Sequence, residues 1–280
     1  MMVELYSMIN KCFKRIKWSY ELKKTKQYVK NKKNIVINNF DNYRRILIIS
    51  AHADDELIGC YKLLEEKKSR IKLFYYGFLG SNASLVNQVT RRLEFEKFCK
   101  HMGIYHYISS GLSEKDLHGV IKDYSPDLIL IPSFLDWHKD HRKSNFLLKD
   151  ALDKVELDIR IGLYKISIPI PSTLINSFIR MTKIDQLNKW ALFKRYYKSQ
   201  INIPIDRFKI EERLYGKVYG GYAVEIYSIM DVNNWSKAIE VIKQPRFEWK
   251  LNCLEYLVDN IYTKFKIVSL ISEEIVKYLE

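Results

Sequence analysis

Two short polar clusters in this chain carry the residue types that hold a metal ion and move protons. The first, Ala51-His52-Ala53-Asp54-Asp55-Glu56, comes directly after the apolar run Arg45-Ile46-Leu47-Ile48-Ile49-Ser50. The second, Asp136-Trp137-His138-Lys139-Asp140-His141, follows Leu128-Ile129-Leu130-Ile131-Pro132. His52 and Asp55 are three apart, so on a turn entering a helix they can point the same way, and His141 can add a third ligand from the second cluster. A His-Asp-His set suits zinc and leaves one coordination position for water. Bound zinc can lower the pKa of that water from about 15.7 to about 7. Asp54, beside the ligands, has the chemistry of a general base. His138, a turn before His141, can meet negative charge developing on a substrate carbonyl oxygen, with Asp136 or Asp140 to hold it.

Each cluster alone has a plainer reading. His-x-Asp-Asp can be a helix cap with solvated acids, and His-x-x-His a surface pair. Their joint occurrence after two apolar runs points to a hydrolytic metal site, because open α/β sheets build ligand sites where buried strands end. His101, His106 and His118 lack such a setting and are expected to be structural or exposed.

The elements that must position these groups can be read from the same pattern. Arg45–Ser50 reads as a strand leading to a helix from about Glu56 to Lys67. Ile71–Leu79 is the next apolar run, broken at Gly80-Ser81-Asn82, and a helix is expected from about Leu85 to Met102. Leu128–Pro132, Tyr164–Ile170 and Ala223–Met230 read as later strands, while Gln186–Gln200 and a tail from Glu248 to Tyr278 look helical. The alternation predicts an α/β, Rossmann-like, mostly parallel sheet flanked by helices, with helical additions at both ends. We expect a basic N-terminal arm over 1–40, a catalytic domain over 41–232 and a C-terminal helical extension over 233–280.

Apolar residues make up 47% and charged residues 29% of the 280, the composition of a globular protein. No apolar run approaches the roughly 20 residues of a membrane span, and the N-terminus lacks a signal peptide's uninterrupted apolar core, so a cytoplasmic location is expected. Cys12, Cys60, Cys99 and Cys253 form no CxxC pair and read as reduced, buried small hydrophobes. The net charge is +14. Most of that excess falls in the first fifty residues, with twelve Lys/Arg against three Asp/Glu. Met2–Tyr20 has the spacing of a basic amphipathic helix in which Lys11, Lys14, Arg15 and Lys17 separate the apolar positions. It can dock on its own domain or lie peripherally on an anionic membrane at the inner face. The arm carries no nucleic-acid-recognition signature, so no specific nucleic acid is expected. The polar, Asn-rich stretch from Asn31 to Asn42 reads as containing a linker.

At the two clusters the chain resembles the PIG-L family, also called LmbE-like, of zinc-dependent N-deacetylases acting on N-acetylglucosamine compounds. The family's Ala-His-Pro-Asp-Asp-Glu is matched by Ala51–Glu56 with Ala53 in place of proline, and its His-Pro-Asp-His by His138-Lys139-Asp140-His141. Looser matches are Arg91-Arg92-Leu93-Glu94, Lys189-Trp190-Ala191-Leu192 with Tyr197-Lys198-Ser199-Gln200, and Tyr222–Tyr227 with its glutamate. The resemblance implies His52, Asp55 and His141 as ligands of one Zn2+ or another divalent metal, Asp54 as base and His138 as electrophile. It further implies Arg91, Arg92 and Gln200 as substrate-binding residues, with Asp136 and Asp140 in support. The expected substrate is an N-acetylated amino sugar in a larger conjugate, such as a cell-envelope glycan or glycolipid precursor. Competing readings are an amidase for another N-acyl conjugate, a non-catalytic basic binding module, and a phosphoester hydrolase. The last is disfavoured because such sites usually gather two metals about 4 Å apart.

Overall fold

The structure, a computed structural model, describes residues 16, 19–31, 39–78, 85–111, 113–153, 155, 158–257 and 261–278. Its centre is a seven-stranded sheet in the order β3-β2-β1-β4-β5-β7-β6. The strands are β1 (Ile46–Ser50), β2 (Ile71–Tyr75), β3 (Tyr105–Ile108), β4 (Leu128–Pro132), β5 (Arg160–Tyr164), β6 (Ser177–Met181) and β7 (Ala223–Asp231). β1 to β5 run parallel, and β7 lies antiparallel between β5 and β6. β1 and β4 are buried at every position, which is why they read as continuous apolar runs: helices cover both faces of a parallel sheet.

Successive residues of a strand feed opposite faces. Leu47, Ile49, Ile129 and Ile131 join one core, and Ile46, Ile48, Leu128 and Leu130 the other. The second core is covered by α2 (Asp55–Lys67), α3 (Leu85–Met102) and α6 (Lys183–Tyr196), and by Phe208 early in α7 (Ile205–Tyr219). The first is covered by α4 (Glu114–Tyr124), α5 (Lys139–Leu152), α8 (Val232–Ile242), α9 (Pro245–Cys253) and α10 (Ile261–Val276), with Leu214 and Tyr215 from later in α7. β1 and β4 are neighbours, yet the chain leaves β1 toward β2 and β3 on one side and β4 toward β5 on the other. Their C-terminal ends therefore frame the crevice where the strand order reverses, and both polar clusters sit there.

Three expected elements move. The strand expected at Tyr164–Ile170 lies earlier, at Arg160–Tyr164. Pro169 and Pro171 remove ladder donors, so Ile166, Ile168 and Ile170 bury their side chains from a loop instead. Gly162 belongs to that strand because a Cβ there would come within 2.4 Å of Leu130. The helix expected over Gln186–Gln200 begins at a capping box made by Thr182 and Asp185 and stops at Tyr196. The tail is divided into α9, a 3-10 turn at Leu254–Leu257 and α10.

Lys11, Lys14, Arg15 and Lys17, with most of the Met2–Tyr20 helix, lie outside the described residues, as do residues 32–38 of the expected linker and Gly80-Ser81-Asn82. Residues 19–31 form helix α1, which extends beyond the end expected at Tyr20. It buries Thr25 and Val29 and sets Tyr28 edge-on to Tyr262 of α10 at 6.1 Å. No helix among the described residues is long and apolar enough to cross a membrane.

Candidate active site

β1 ends at Ser50, and a tight turn must then reverse the chain into α2. Asp54 takes φ +130° to make that turn, a backbone region costly for any residue with a Cβ and found where surrounding structure enforces it. The turn is closed by Asp55, whose Oδ2 accepts the backbone N–H groups of Ala51 at 2.9 Å and His52 at 2.8 Å. Its other oxygen faces His141 Nε2 at 3.3 Å. His52 Nδ1 lies 3.3 Å from the same His141 nitrogen and 3.7 Å from Asp55 Oδ2. His52, Asp55 and His141 thus gather their ligand atoms within 4.8 Å of one another, all buried.

The outer nitrogens of the two histidines are each held by an acid. Asp136 Oδ2 lies 3.1 Å from His141 Nδ1, and Asp140 Oδ2 lies 2.9 Å from His52 Nε2. A carboxylate behind an imidazole fixes its tautomer and turns the opposite nitrogen's lone pair outward, the usual backing of a metal-binding histidine. The donor chemistry of His52, Asp55 and His141 therefore fits a divalent cation. A second grouping, His52 with His138 and Asp140, also has the right spacing, but there the His52–Asp140 contact is already a hydrogen bond.

These contacts correct the expected role of the two acids. Asp136 and Asp140 steady the imidazoles of the candidate ligands; Asp140 stands 3.9 Å from the His138 ring, and Asp136 Oδ1 accepts the His138 backbone N–H at 2.9 Å. His138 is the N-cap of α5, and its Nδ1 accepts the Asp140 backbone N–H at 3.2 Å. An imidazole accepting at Nδ1 carries its proton on Nε2, so His138 offers a neutral N–H. Burial, reinforced by the neighbouring His52 and His141, pushes its pKa down to about 4.

The other ionisations follow from burial set against near neighbours. Burial, with Asp55 and Glu56 alongside, raises Asp54 well above the usual carboxylate range. Burial opposes ionisation of Asp55 too, but His141 and His52 overcome it and hold that carboxyl down. His141 is raised to about 10 because Asp55 and Asp136 outweigh its burial. Glu56, pushed up to about 7 by burial, accepts from Ser50 Oγ at 2.9 Å and from the Tyr197 hydroxyl.

His52, Asp54, Asp55, His138 and His141 line one cavity of about 440 Å³, within the range of small-molecule sites. Arg91 and Gln200 reach it, and Gln200 Nε2 donates to Ala53 O at 3.0 Å. Arg92 does not: it points outward and pairs with Glu96 at 3.0 Å. Trp137, Ile203 and Arg207 are also in the wall. Sequence reasoning gave none of the three a role: Ile203 before α7 and Arg207 within it reach the cavity only through the tertiary fold, and Trp137 lies inside the second polar cluster, where the histidines and acids drew the reading.

The looser motifs prove to be joints around α2. Glu94 of α3 accepts from Ser199 N at 2.9 Å and Ser199 Oγ at 2.5 Å, which brings the segment bearing Gln200 over the cavity. α2 is kinked at Cys60, and the groups that would bond across the kink find side chains instead. Ile58 O accepts from Lys189 Nζ at 2.6 Å, Lys62 N donates to Glu225 Oε2 at 3.0 Å, and Lys189 pairs with Glu225 at 2.9 Å. A buried ion pair is spliced into the helical ladder, a recognised cause of a sharp kink. His101, His106 and His118 lie outside the cavity, as expected. Cys60 and Cys99 are buried thiols as expected, Cys253 near the end of α9 is instead partly exposed, and Cys12 lies outside the described residues.

The segment spanning both clusters, residues 47–152, matches the family model described as PIG-L, GlcNAc-PI de-N-acetylase. Over that segment the chain is similar to the PIG-L family. The hydrolase class comes with that family, whose described activity is de-N-acetylation. Among solved structures, the chain resembles N,N'-diacetylchitobiose deacetylase from Pyrococcus horikoshii at 20% identity and TM-score 0.54, over 70% of this chain and 86% of that one. It also resembles the conserved protein TT1542 from Thermus thermophilus at 17% identity and TM-score 0.52, over 65% and 93%. The zinc-inhibited form of teicoplanin deacetylase Orf2 aligns at 14% identity and TM-score 0.51, over 68% and 99%. At these identities the likeness is one of fold. No curated protein matches the chain.

Proposed function

We propose that this protein is a metal-dependent hydrolase that removes the N-acetyl group of an N-acetylglucosamine-type sugar carried in a larger conjugate, with Zn2+ as its metal. The observation that carries the reading is the convergence of His52, Asp55 and His141 on one point of the cavity wall, with Asp54 and His138 lining the same cavity. His52, Asp55 and His141 would hold the ion. Zinc, when bound, supplies Lewis acidity and a water whose pKa is brought toward about 7.

The remaining chemistry belongs to the chain. Asp54, its carboxyl raised by burial, takes a proton from the attacking water and delivers it to the departing amine. His138 Nε2–H donates to the carbonyl oxygen as negative charge develops there, and its neutral tautomer lets it donate with no partner needed for a positive charge. Arg91 and Gln200 bind the sugar from the facing wall. In this proposal residues 41–232 are the catalytic domain in a cytoplasmic protein, and residues 233–280 add a further wall beside it. The basic arm's contact with an anionic membrane is a separate proposal, resting on the charge of Lys11, Lys14, Arg15 and Lys17.

The test is acetate release from a panel of N-acetylglucosamine conjugates, using protein stripped with chelator and reloaded with zinc. Release that requires the metal and disappears in Asp54→Asn supports the reading. Metal-loaded, folded protein that deacetylates no member of the panel overturns it.

A further inference from the structure

Beside the reaction cavity lies a second groove of about 780 Å³, whose lining includes Lys139, Asp140, Trp249, Asn252, Glu255 and Tyr256. The two spaces share Trp137 and His138 in their walls, which sets the groove directly beside the cavity. Its far wall comes from α9 and the 3-10 turn, outside the segment matched by the family model. Two large aromatic side chains stand in solvent there: Trp249 is 68% and Tyr256 86% exposed. Residues of that size ordinarily bury their rings, and an exposed pair rimmed by polar groups marks a binding surface.

The groove is also mechanically tied to the site. Arg142, buried, donates from one terminal nitrogen to the carbonyls of Asp136 and Trp137, both at 2.7 Å, and from the other to Asn252 Oδ1 at 2.6 Å. One guanidinium thus fixes the loop before His138 and orients the Asn252 amide, which with Oδ1 engaged has Nδ2 to donate.

The lining chooses the occupant. The lining holds one lysine, Lys139, and two carboxylates, Asp140 and Glu255, a balance that disfavours a phosphate or an acidic sugar. Flat aromatic faces with carboxylate acceptors and an amide donor match a neutral pyranose, apolar on its C–H faces and hydroxylated at its rim. We propose that the groove is a saccharide subsite that holds the neutral sugar next to the N-acetylated unit being hydrolysed, with Trp249 and Tyr256 packing on its ring. This rests on the deacetylase reading and narrows the conjugate to an oligosaccharide or glycan.

The experiment uses the zinc-loaded full chain and compares N-acetylglucosamine with neutral di- and trisaccharides ending in it through different linkages, and with conjugates bearing a phosphate or an acyl chain. The expected result is a kcat/KM for at least one neutral oligosaccharide about tenfold above the monosaccharide, with that ratio collapsing toward one in Trp249→Ala/Tyr256→Ala. The same saccharide should perturb tryptophan emission in Asp54→Asn, and the perturbation should be reduced when Trp249→Phe is added, leaving the part that comes from Trp137. A ratio unchanged by the double substitution, or a preference for the phosphate or acyl conjugate, overturns the subsite. Failure of every compound to release acetate overturns the deacetylase reading instead, while the emission titration still decides whether the groove binds sugar.

Discussion

Asp54 and Asp55 are adjacent carboxylates whose proton affinities are shifted in opposite directions, and their surroundings explain the difference. Asp55 is enclosed by two backbone N–H donors and two histidines, while Asp54 turns into the cavity on a backbone that strains to put it there. We expect Asp54→Asn to keep the metal and the fold and to lose about 10²–10⁴-fold in turnover. Metal analysis beside a rate measurement checks this, and near-normal turnover would remove Asp54 from the mechanism. The histidine-backing acids call for a different result. Asp136→Asn should weaken metal affinity by about 10–100-fold, seen as a shift in competition with a chelator, because His141 loses the partner that orients it. At this scale the sequence was legible wherever a motif lies beside a strand end. His52, Asp55 and His141 meet as their types and spacing predict, but the partners of Asp136 and Asp140 were not readable, since which imidazole an acid reaches depends on the path of the loop between β4 and α5. Arg91 and Arg92 make the same point: neighbours on one helix face different ways, and only the fold tells which one enters the cavity.

The catalytic turn is fixed by what grips α2. Its kink leaves Ile58 O and Lys62 N without each other, and Lys189 and Glu225 take their places. Lys189 also lies 2.7 Å from Glu212, so removing its charge strands two buried carboxylates. Lys189→Met should therefore destabilise the protein by about 3–5 kcal/mol, measured by denaturant unfolding; a change under about 1 kcal/mol would mean that the pair does not hold the helix. Gly59, in the same turn of α2, has Tyr164 where a Cβ would stand, 2.2 Å away, and the Tyr164 hydroxyl is bonded to Ile49 O at 2.6 Å. None of this was readable locally. The sequence pattern showed a strand, a polar cluster and a helix, yet a kink filled by side chains from α6 and β7 leaves no periodic trace. Elements were legible where burial is complete, as in β1 and β4. They were lost where proline decided, as after β5, or where a strand is short and half-exposed, as in β3.

Taken as one body, the molecule joins its C-terminal helices to the sheet through apolar contact on one side and a buried charge cluster on the other. Trp235, Phe247, Leu251, Phe265 and Val268 share a core with Ile129 and Ile161. The charge cluster centres on Glu211 of α7, which is 2.6 Å from Lys165 in the loop after β5 and 3.1 Å from Arg207. Burial works against the Glu211 carboxylate, but Lys165, Arg207 and Lys264 of α10 outweigh it and hold its pKa down to about 2, against an ordinary value of 4.5. A carboxyl whose folded pKa lies below its unfolded one binds fewer protons in the native state, so stability falls with pH between those two values. The contribution should be complete above pH 4.5, fall as pH drops, and be gone near pH 2. Its size is on the order of 3 kcal/mol, because a tenfold difference in proton affinity between the folded and unfolded states is worth about 1.4 kcal/mol. Glu211→Gln should cost stability at pH 7 and flatten this acid limb, because the amide has no proton to gain. Unfolding free energies for both proteins from pH 7 to pH 2.5 give the comparison. Parallel curves across that range would mean that Glu211 does not carry the acid sensitivity, whereas convergence at low pH would locate it in the contact joining α7 to the loop after β5, beside the Arg207 that lines the reaction cavity.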